Sequence, residues 1–386
     1  VPSISGGGRR SRYAVTDEIR LPFLAAVTMT ASGRYDAYRI SGQTVQKATY
    51  DVGLEWKPVE SLLFRSRYGT AFKAPTLADE FQGRSSITDF ETDYYQCAQL
   101  GFTGLNIGNC PYVGTALSAS TSGDLKLKPI TADVWDIGLV WSPLREGSIS
   151  ADFLHWSIAN EVAIQSGDEL LRREAQCRLG QLDINSPTCA AALSQVTRDA
   201  TGLVTAIFTP RLNISREIAS AFTLQVNQGI ALGGYGRVEF QLSWSDLLKH
   251  TFQQFPGDSF VNELQDPTFS TDFKSKVNAS INWTRAQWSS TLYVNRVGGS
   301  PNFLAVDSGY ATSGAGKLPP WTLCNFNLRY SWELGLSAGV TVDNLFDRMP
   351  PVDHSYPGTG SEPFNDANYS VYGRSFYLQL TYRGVR

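Results

Sequence analysis

The chain has 386 residues, with 33 Lys plus Arg against 36 Asp plus Glu, giving a formal charge of −3. That balance supplies no long-range attraction for nucleic acid, and 42% hydrophobic with 18% charged residues excludes a disordered tail. Aromatics make up 12% while Met numbers only 2, a profile that leans towards β structure.

At the start, Val1-Pro2-Ser3-Ile4 and the run Gly6-Gly7-Gly8 show no basic segment followed by an apolar one, so either a signal is already removed or the chain begins partway through a gene product. No stretch approaches the roughly 18 apolar residues of a membrane-spanning helix, and Leu21 to Val27 is broken by Pro22. Alternation with a period of two dominates instead. It predicts about thirteen strands, near 11–19, 22–36, 45–57, 61–73, 131–142, 148–164, 212–229, 236–248, 272–284, 287–298, 321–331, 334–343 and 374–384. In the segment from Phe273 to Trp283, for example, Phe273, Ser275, Val277, Ala279, Ile281 and Trp283 alternate with Lys274, Lys276, Asn278, Ser280 and Asn282.

Connections between these strands alternate in length. Short turns at Arg20-Leu21, 58–60, 142–147, 233–235, 285–286 and 332–333 are interleaved with connections that are mostly long, at 74–130, 165–211, 249–271, 299–320 and 344–373. Successive turns of an up-and-down barrel fall on opposite rims, so one rim is plain and the other elaborated, as in a transmembrane antiparallel β-barrel. Strands of about ten residues suit a tilted bilayer crossing, whereas sandwich strands average nearer five or six. Trp56, Trp141, Trp283, Trp288 and Trp332 close the apolar faces near the turns, where a membrane interface holds amphipathic rings. A soluble all-β fold is the competing architecture, but it would leave far more contiguous apolar surface in water than monomers tolerate.

Arg65, Arg67 and Lys73 share one face of the fourth strand, opposite Leu62, Phe64, Tyr68 and Phe72. A Lys or Arg facing lipid costs about 2–4 kcal/mol, so these cations are expected to face the lumen. There they either pair with acids such as Asp136 and Glu239 or attract an anionic ligand. Around His155, the apolar residues Phe153, Leu154 and Trp156 break phase, which predicts a bulge.

Four of the five cysteines fall in the two longest loops as local pairs, Cys97 with Cys110 and Cys177 with Cys189. Disulfides closing such loops contribute roughly 3 kcal/mol each in the chain-entropy model and require an oxidising compartment. A four-cysteine metal site is disfavoured, since no Cys-x-x-Cys spacing occurs and no histidine lies beside them. Cys324 is expected as a small lipid-facing hydrophobe beside Phe326 and Leu328. His155, His250 and His354 form no catalytic or metal motif, and Gly314-Ala315-Gly316-Lys317 lacks the Ser or Thr of a phosphate loop. Neither an enzymatic activity nor a cofactor is expected.

Several segments resemble TonB-dependent outer-membrane receptors. They are Gly69-Thr70-Ala71-Phe72-Lys73-Ala74-Pro75-Thr76-Leu77-Ala78-Asp79-Glu80-Phe81, Val342-Asp343-Asn344-Leu345-Phe346-Asp347, and Tyr372-Gly373-Arg374-Ser375-Phe376-Tyr377-Leu378. Weaker matches at Gly33-Arg34-Tyr35-Asp36 and Leu125-Lys126-Leu127-Lys128-Pro129 fall in the family's order. The resemblance implies a barrel of about 22 strands around an N-terminal plug, with residues 1–386 forming its C-terminal part and the plug, the TonB box and the first strands lying outside this chain. It implies residence in the Gram-negative outer membrane, contact with its lipid, and energised import of a small-molecule nutrient through the TonB complex. A ferric siderophore is the default substrate, with oligosaccharide, cobalamin or peptide as other classes; a passive porin or adhesin barrel is the alternative function. Ligand contacts are expected from Tyr94, Tyr95, Tyr112, Phe255, Tyr310 and Tyr356 in the outer loops, with Arg65 and Arg67 in the lumen. Phe260 and Phe364 are further loop rings of the same kind. Ile130, standing where Glu commonly follows Lys-Pro, and the Gly384-Val385-Arg386 terminus depart from the family pattern.

Overall fold

The computed structural model describes residues 6–40, 43–253, 259–266, 272–302, 317–333, 335–353, 364 and 368–383. The chain opens with β1 (Arg10–Leu24), β2 (Val27–Ile40), β3 (Gln43–Val59) and β4 (Leu62–Lys73), then makes a first excursion through α1 (Leu77–Phe81), β5 (Ser85–Glu91), α2 (Tyr94–Gln99) and β6 (Thr115–Thr121). Strands β7 (Ile130–Trp141) and β8 (Gly147–Ile164) precede a second excursion, α3 (Gly167–Arg178), α4 (Pro187–Gln195), β9 (Val196–Arg198) and β10 (Val204–Phe208). The remaining elements are β11 (Arg211–Ala231), β12 (Arg237–Gln253), β13 (Val261–Asn262), β14 (Ser275–Arg285), β15 (Trp288–Val297), β16 (Trp321–Ser331), β17 (Leu336–Asp343) and β18 (Ser375–Tyr382).

Thirteen of these strands form one antiparallel wall in chain order, β1-β2-β3-β4-β7-β8-β11-β12-β14-β15-β16-β17-β18, with the short β13 added to β12. All thirteen coincide with strands expected from the alternation. Register makes the two faces explicit. Trp56, Phe64, Leu139, Ala151, Leu224, Trp244 and Val277 stand opposite one another across seven successive strands. One residue along, the row reads Glu55, Arg65, Gly138, Asp152, Thr223, Ser245 and Lys276. The first row is apolar throughout and the second is polar apart from its glycine, so the wall separates two solvents. Ring contacts such as Trp56 on Phe64, 5.2 Å between centroids, knit the apolar row.

Two local expectations are corrected. The first short turn lies at Ala25-Ala26 rather than at Arg20-Leu21, because β1 continues through Pro22 to Leu24 with a register irregularity between them. A proline fits there, at an irregular point of a strand that pairs on one side only. No bulge occurs at His155 either, since β7 and β8 stay in continuous register from Ile149 to Ala159. The irregularity falls further on, near Asn160, whose φ is 58°. His155 lies on the outward face over Trp135, 5.3 Å between ring centroids, and its Nδ1 meets Ser220 Oγ at 2.8 Å. Strand β8 is long enough to rise past the hydrocarbon, and beyond it the apolar-out rule no longer applies.

On the elaborated rim the two excursions fold together. Strands β5, β6, β10 and β9 make a second sheet, joined across the excursions by the parallel pairing of β6 with β10. Ser166 caps α3 by accepting from Glu169 N, and Ser186 caps α4, whose first residue is Pro187. Leu117 and Ala119 from the first excursion pack with Leu170, Leu171, Ala192, Val196, Val204 and Ile207 from the second. We call this unit the crown. Its two disulfides are the expected Cys97–Cys110 and Cys177–Cys189, each with Cα atoms 5.7 Å apart.

Nitroxide labels distinguish the two faces of the wall. In bilayers, labels at Val277 and Leu380 should be relaxed by lipid-dissolved oxygen, and one at Asn278 by a water-soluble nickel chelate. The reverse pattern at Val277 and Asn278 would exclude a lipid-facing apolar row.

Candidate ligand-binding face

Polar side chains of the wall converge on its inner face. Arg65 forms a fork with Asp152, Nε to Oδ1 at 2.9 Å and Nη2 to Oδ2 at 2.8 Å. Gly138 stands between them in the register, and a Cβ there would lie 1.9 Å from Asp152 Oδ1, so the fork needs a glycine at that position. Arg67 Nε donates to Asp51 Oδ2 at 2.5 Å. Arg65 and Arg67 are thus hydrogen-bonded to Asp152 and Asp51, while Asp136 stands opposite Arg67 in the register without a bond to it. Glu239 is taken by Arg237 at 2.9 Å.

Nearer the crown, the inner face of β1–β3 carries an excess of positive charge that the sequence reading did not single out. Asp36, only 4% exposed, is held by Arg12 at 2.8 Å and by Arg34 at 2.6 Å. Lys47 stands directly opposite Asp36 on β3. Arg10 lies over the Tyr38 ring at 5.0 Å and donates from Nη1 to Pro75 O at 2.7 Å. Two guanidiniums therefore bind the Asp36 carboxylate, Lys47 faces it across the register, and Arg10 lies further towards the rim. The legible signal was Arg10 and Arg12 alternating on one strand, matched by Arg34 and Asp36 on the next.

In the crown, Arg198 bridges the two excursions. Its Nη1 donates to Asp93 Oδ2 and its Nη2 to Glu174 Oε2, each at 2.7 Å, and both acids are fully buried. Burial opposes the Arg198 charge, but the bonds to Glu174 and Asp93 outweigh it and raise its pKa. Arg178 also bonds Glu174, and Asp93 further accepts from Val204 N at 3.1 Å. Glu91 has a different environment. Burial, reinforced by Asp168 and Asp89, pushes its carboxyl up to about 7. Glu263, after β13, is 1% exposed and is likewise pushed up to about 7 by burial.

Of the loop rings expected to meet ligand, Tyr94 and Tyr95 sit on α2 inside the crown. Tyr94 donates to Asp168 Oδ1 at 2.5 Å beneath the Arg172 guanidinium, 4.2 Å from its ring centroid. Tyr95 lies under Arg178 and Arg198, at 5.5 and 5.1 Å. Tyr112 is half-buried, and its carbonyl accepts from Asp93 N at 3.1 Å. Phe260 is 41% exposed beside β13, and Phe364 is half-buried. Phe255, Tyr310 and Tyr356 lie outside the described residues, as does His354.

The sequence profile described as "TonB dependent receptor-like, beta-barrel" matches residues 2–345. The chain belongs to the TonB-dependent receptor β-barrel family. It is an outer-membrane family of transport receptors rather than enzymes. Among solved structures the chain is similar to a point mutant of the ferric enterobactin receptor PfeA of Pseudomonas aeruginosa, with TM-score 0.64 and 15% identity over 99% of this chain and 47% of that one. It is also similar to the siderophore receptor PirA of Acinetobacter baumannii, with TM-score 0.61 and 15% identity over 97% and 46%. The ferric-catecholate import receptor Fiu of E. coli K12 gives 0.52 and 12% over 89% and 42%. The chain spans about half the length of these receptors or a little less. At such identities the likeness concerns the fold. No curated protein matches the sequence.

The motifs of TonB-dependent receptors have visible structural work in this chain. Thr76 and Asp79 form a capping box on α1, and Asp79 Oδ1 also accepts from Arg211 Nη1 at 3.1 Å, tying the start of the first excursion to β11. Asn344, at φ 49°, closes the loop after β17 by accepting from Arg348 N at 2.8 Å and donating to Arg348 O at 3.0 Å. Asp347 Oδ1 accepts from Arg374 N at 2.9 Å, joining the second motif to the third.

Two measurements check the crown. Arg198→Met leaves Asp93 a buried charge with no cation and Glu174 with Arg178 alone, and should cost the crown about 3–5 kcal/mol, read as accelerated amide exchange in β9 and β10 with the wall unchanged. The unfolded Glu91 carboxyl releases its proton near 4.5 and the folded one near 7. The folded crown therefore holds more protons between those values and loses stability as pH rises through that window. Glu91→Gln should flatten this dependence and leave the crown more stable than wild type at pH 8; an unchanged pH profile would refute the assignment.

Proposed function

We propose that this chain is part of a receptor that imports an anionic ferric siderophore, of catecholate type, across the Gram-negative outer membrane, driven by the TonB complex. One observation carries the reading: Arg10, Arg12, Arg34 and Lys47 outnumber Asp36 on the crown-side part of the inner face of β1–β3. Catecholate complexes of iron(III) are anionic, and a low-dielectric wall lined by one sign of charge focuses its field and concentrates such a ligand. Guanidinium groups also suit the oxygen-rich edge of the complex, because their fork of donors meets paired oxygens. The fold shared with receptors for ferric enterobactin and ferric catecholates supports the same class.

Mechanistically, no reacting group is required. The crown and neighbouring loop rings gather ligand by stacking and hydrogen bonding, and the cationic face draws it inward. Passage then depends on movement of a plug enclosed by the completed barrel and pulled by TonB. In this scheme the Arg65–Asp152 and Arg67–Asp51 pairs hold the wall's inner surface polar and wet.

The test is uptake of iron-55 supplied as ferric enterobactin to cells lacking their other catecholate receptors. The receptor should support uptake that disappears with tonB deletion or collapse of the proton-motive force. Arg12→Glu with Arg34→Glu should lower uptake at limiting ligand by at least about tenfold, while the corresponding double Lys variant retains most of it. Uptake that persists without TonB would indicate a passive pore, and equal uptake by the double Glu variant would remove the anionic-ligand reading.

A further inference from the structure

At the crown-side end of the wall, β13 adds two residues to β12, with Asn262 opposite Thr251 and Val261 opposite Phe252. One position further, Glu263 N donates to His250 O at 3.0 Å, which sets the Glu263 and His250 side chains beside each other on one face. That face is the inner one. His250 stands opposite Ala219, which alternates with Thr223 along the inward side of β11. The imidazole is already taken: its Nε2 meets Glu217 Oε1 at 2.7 Å and its Nδ1 lies 3.1 Å from Asp272 Oδ2, so a carboxylate stands at each ring nitrogen. No imidazole donor is left for Glu263. That residue is 1% exposed, and neither of its carboxyl oxygens has a hydrogen-bond partner among the described residues.

A buried carboxyl without a donor is tolerated as the neutral acid and costly as the anion. Burial is the chief cause that raises Glu263 to about 7; His250 works against it, while Asp266 on the same turn, Asp272 ahead of β14 and Glu217 on β11 reinforce it. Three acids thus face it with one imidazole. What holds β13 against β12 is small by comparison, two paired residues and the bond from Glu263 N, so a single buried charge suffices to undo the contact. We propose that β13 is a proton-operated latch, docked on β12 while Glu263 carries its proton and released when that proton passes to bulk water, which bares His250 and the inner face around it. The latch belongs to the rim of the wall and does not depend on which ligand the receptor carries. Undocked, the Glu263 carboxyl releases its proton near 4.5, and docked near 7. Docking is therefore tightest below the first value, weakens between the two and is weakest above the second. Acid closes the latch and neutral water opens it.

The test is amide exchange of the complete receptor in lipid nanodiscs from pH 5 to pH 8.5, corrected for the intrinsic pH dependence of exchange and read in a peptide spanning residues 259–266. Wild-type protection there should fall at least about tenfold across that range, while β14 keeps its protection throughout. Glu263→Gln should stay protected at both ends, because its amide cannot ionise, and Glu263→Leu should do the same if the amide variant fails to assemble. Glu217→Gln should move the midpoint to lower pH, since it removes one opposing charge and leaves an imidazole nitrogen to Glu263. Protection independent of pH in wild type overturns the latch, as does an equal loss in Glu263→Gln. A midpoint that stays in place or rises in Glu217→Gln overturns the assignment of the titration to this cluster. Heat-modifiable migration, recorded for every variant, separates loss of the barrel from release of the latch.

Discussion

A sheet that meets hydrocarbon on one side must keep charge off that side wherever lipid covers it, and that demand organises this wall, whose outward arginines Arg285 and Arg296 stand near strand ends. The outward row through Trp56, Phe64, Leu139, Leu224, Trp244 and Val277 lies only one residue from an inward row that carries Glu55, Arg65, Asp152 and Lys276. Because side chains repeat every two residues, a slip of one position between any two strands would turn arginines into lipid. One register irregularity falls within β11, where Leu248 of β12 is extra opposite Ser220 and Ala221; the others lie towards strand ends, at Pro22, after Trp56 and around Asn213–Arg216. There the wall leaves the apolar zone, and a change of face costs little.

The crown obeys a different constraint. Water surrounds it, so it must bury a core of its own, and eight residues make a small one. Each disulfide closes a loop within one excursion, so neither joins the two. The joining is left to the β6–β10 pairing, the shared apolar core and the Arg198 bridge from Glu174 to Asp93, groups 24 and 105 residues away in sequence. Tyr94 and Tyr95 belong to the same network, their rings covered by Arg172, Arg178 and Arg198. Two loops thereby become one body on the elaborated rim rather than two loose flaps.

Much of this was legible beforehand, and the reason is locality. Period-two alternation from Phe273 to Trp283 depends only on neighbouring residues, so β14 could be read without knowing its partners. The same holds for the cysteine pairs at separations of 13 and 12. The misplaced bulge at His155 shows the limit of that reading: a phase break in polarity is also what a regular strand displays once it rises out of lipid.

What the sequence by itself determined is the set of thirteen strands, the two faces of each, the plain and elaborated rims, and the pairs of cysteines. Tertiary structure alone decided which acid meets which arginine and that the two longest loops share a sheet. The division follows from range. A strand's faces are set by steric alternation along the chain, whereas an ion pair such as Arg65 with Asp152 depends on the register between strands 87 positions apart and on a glycine at position 138 on the strand between them.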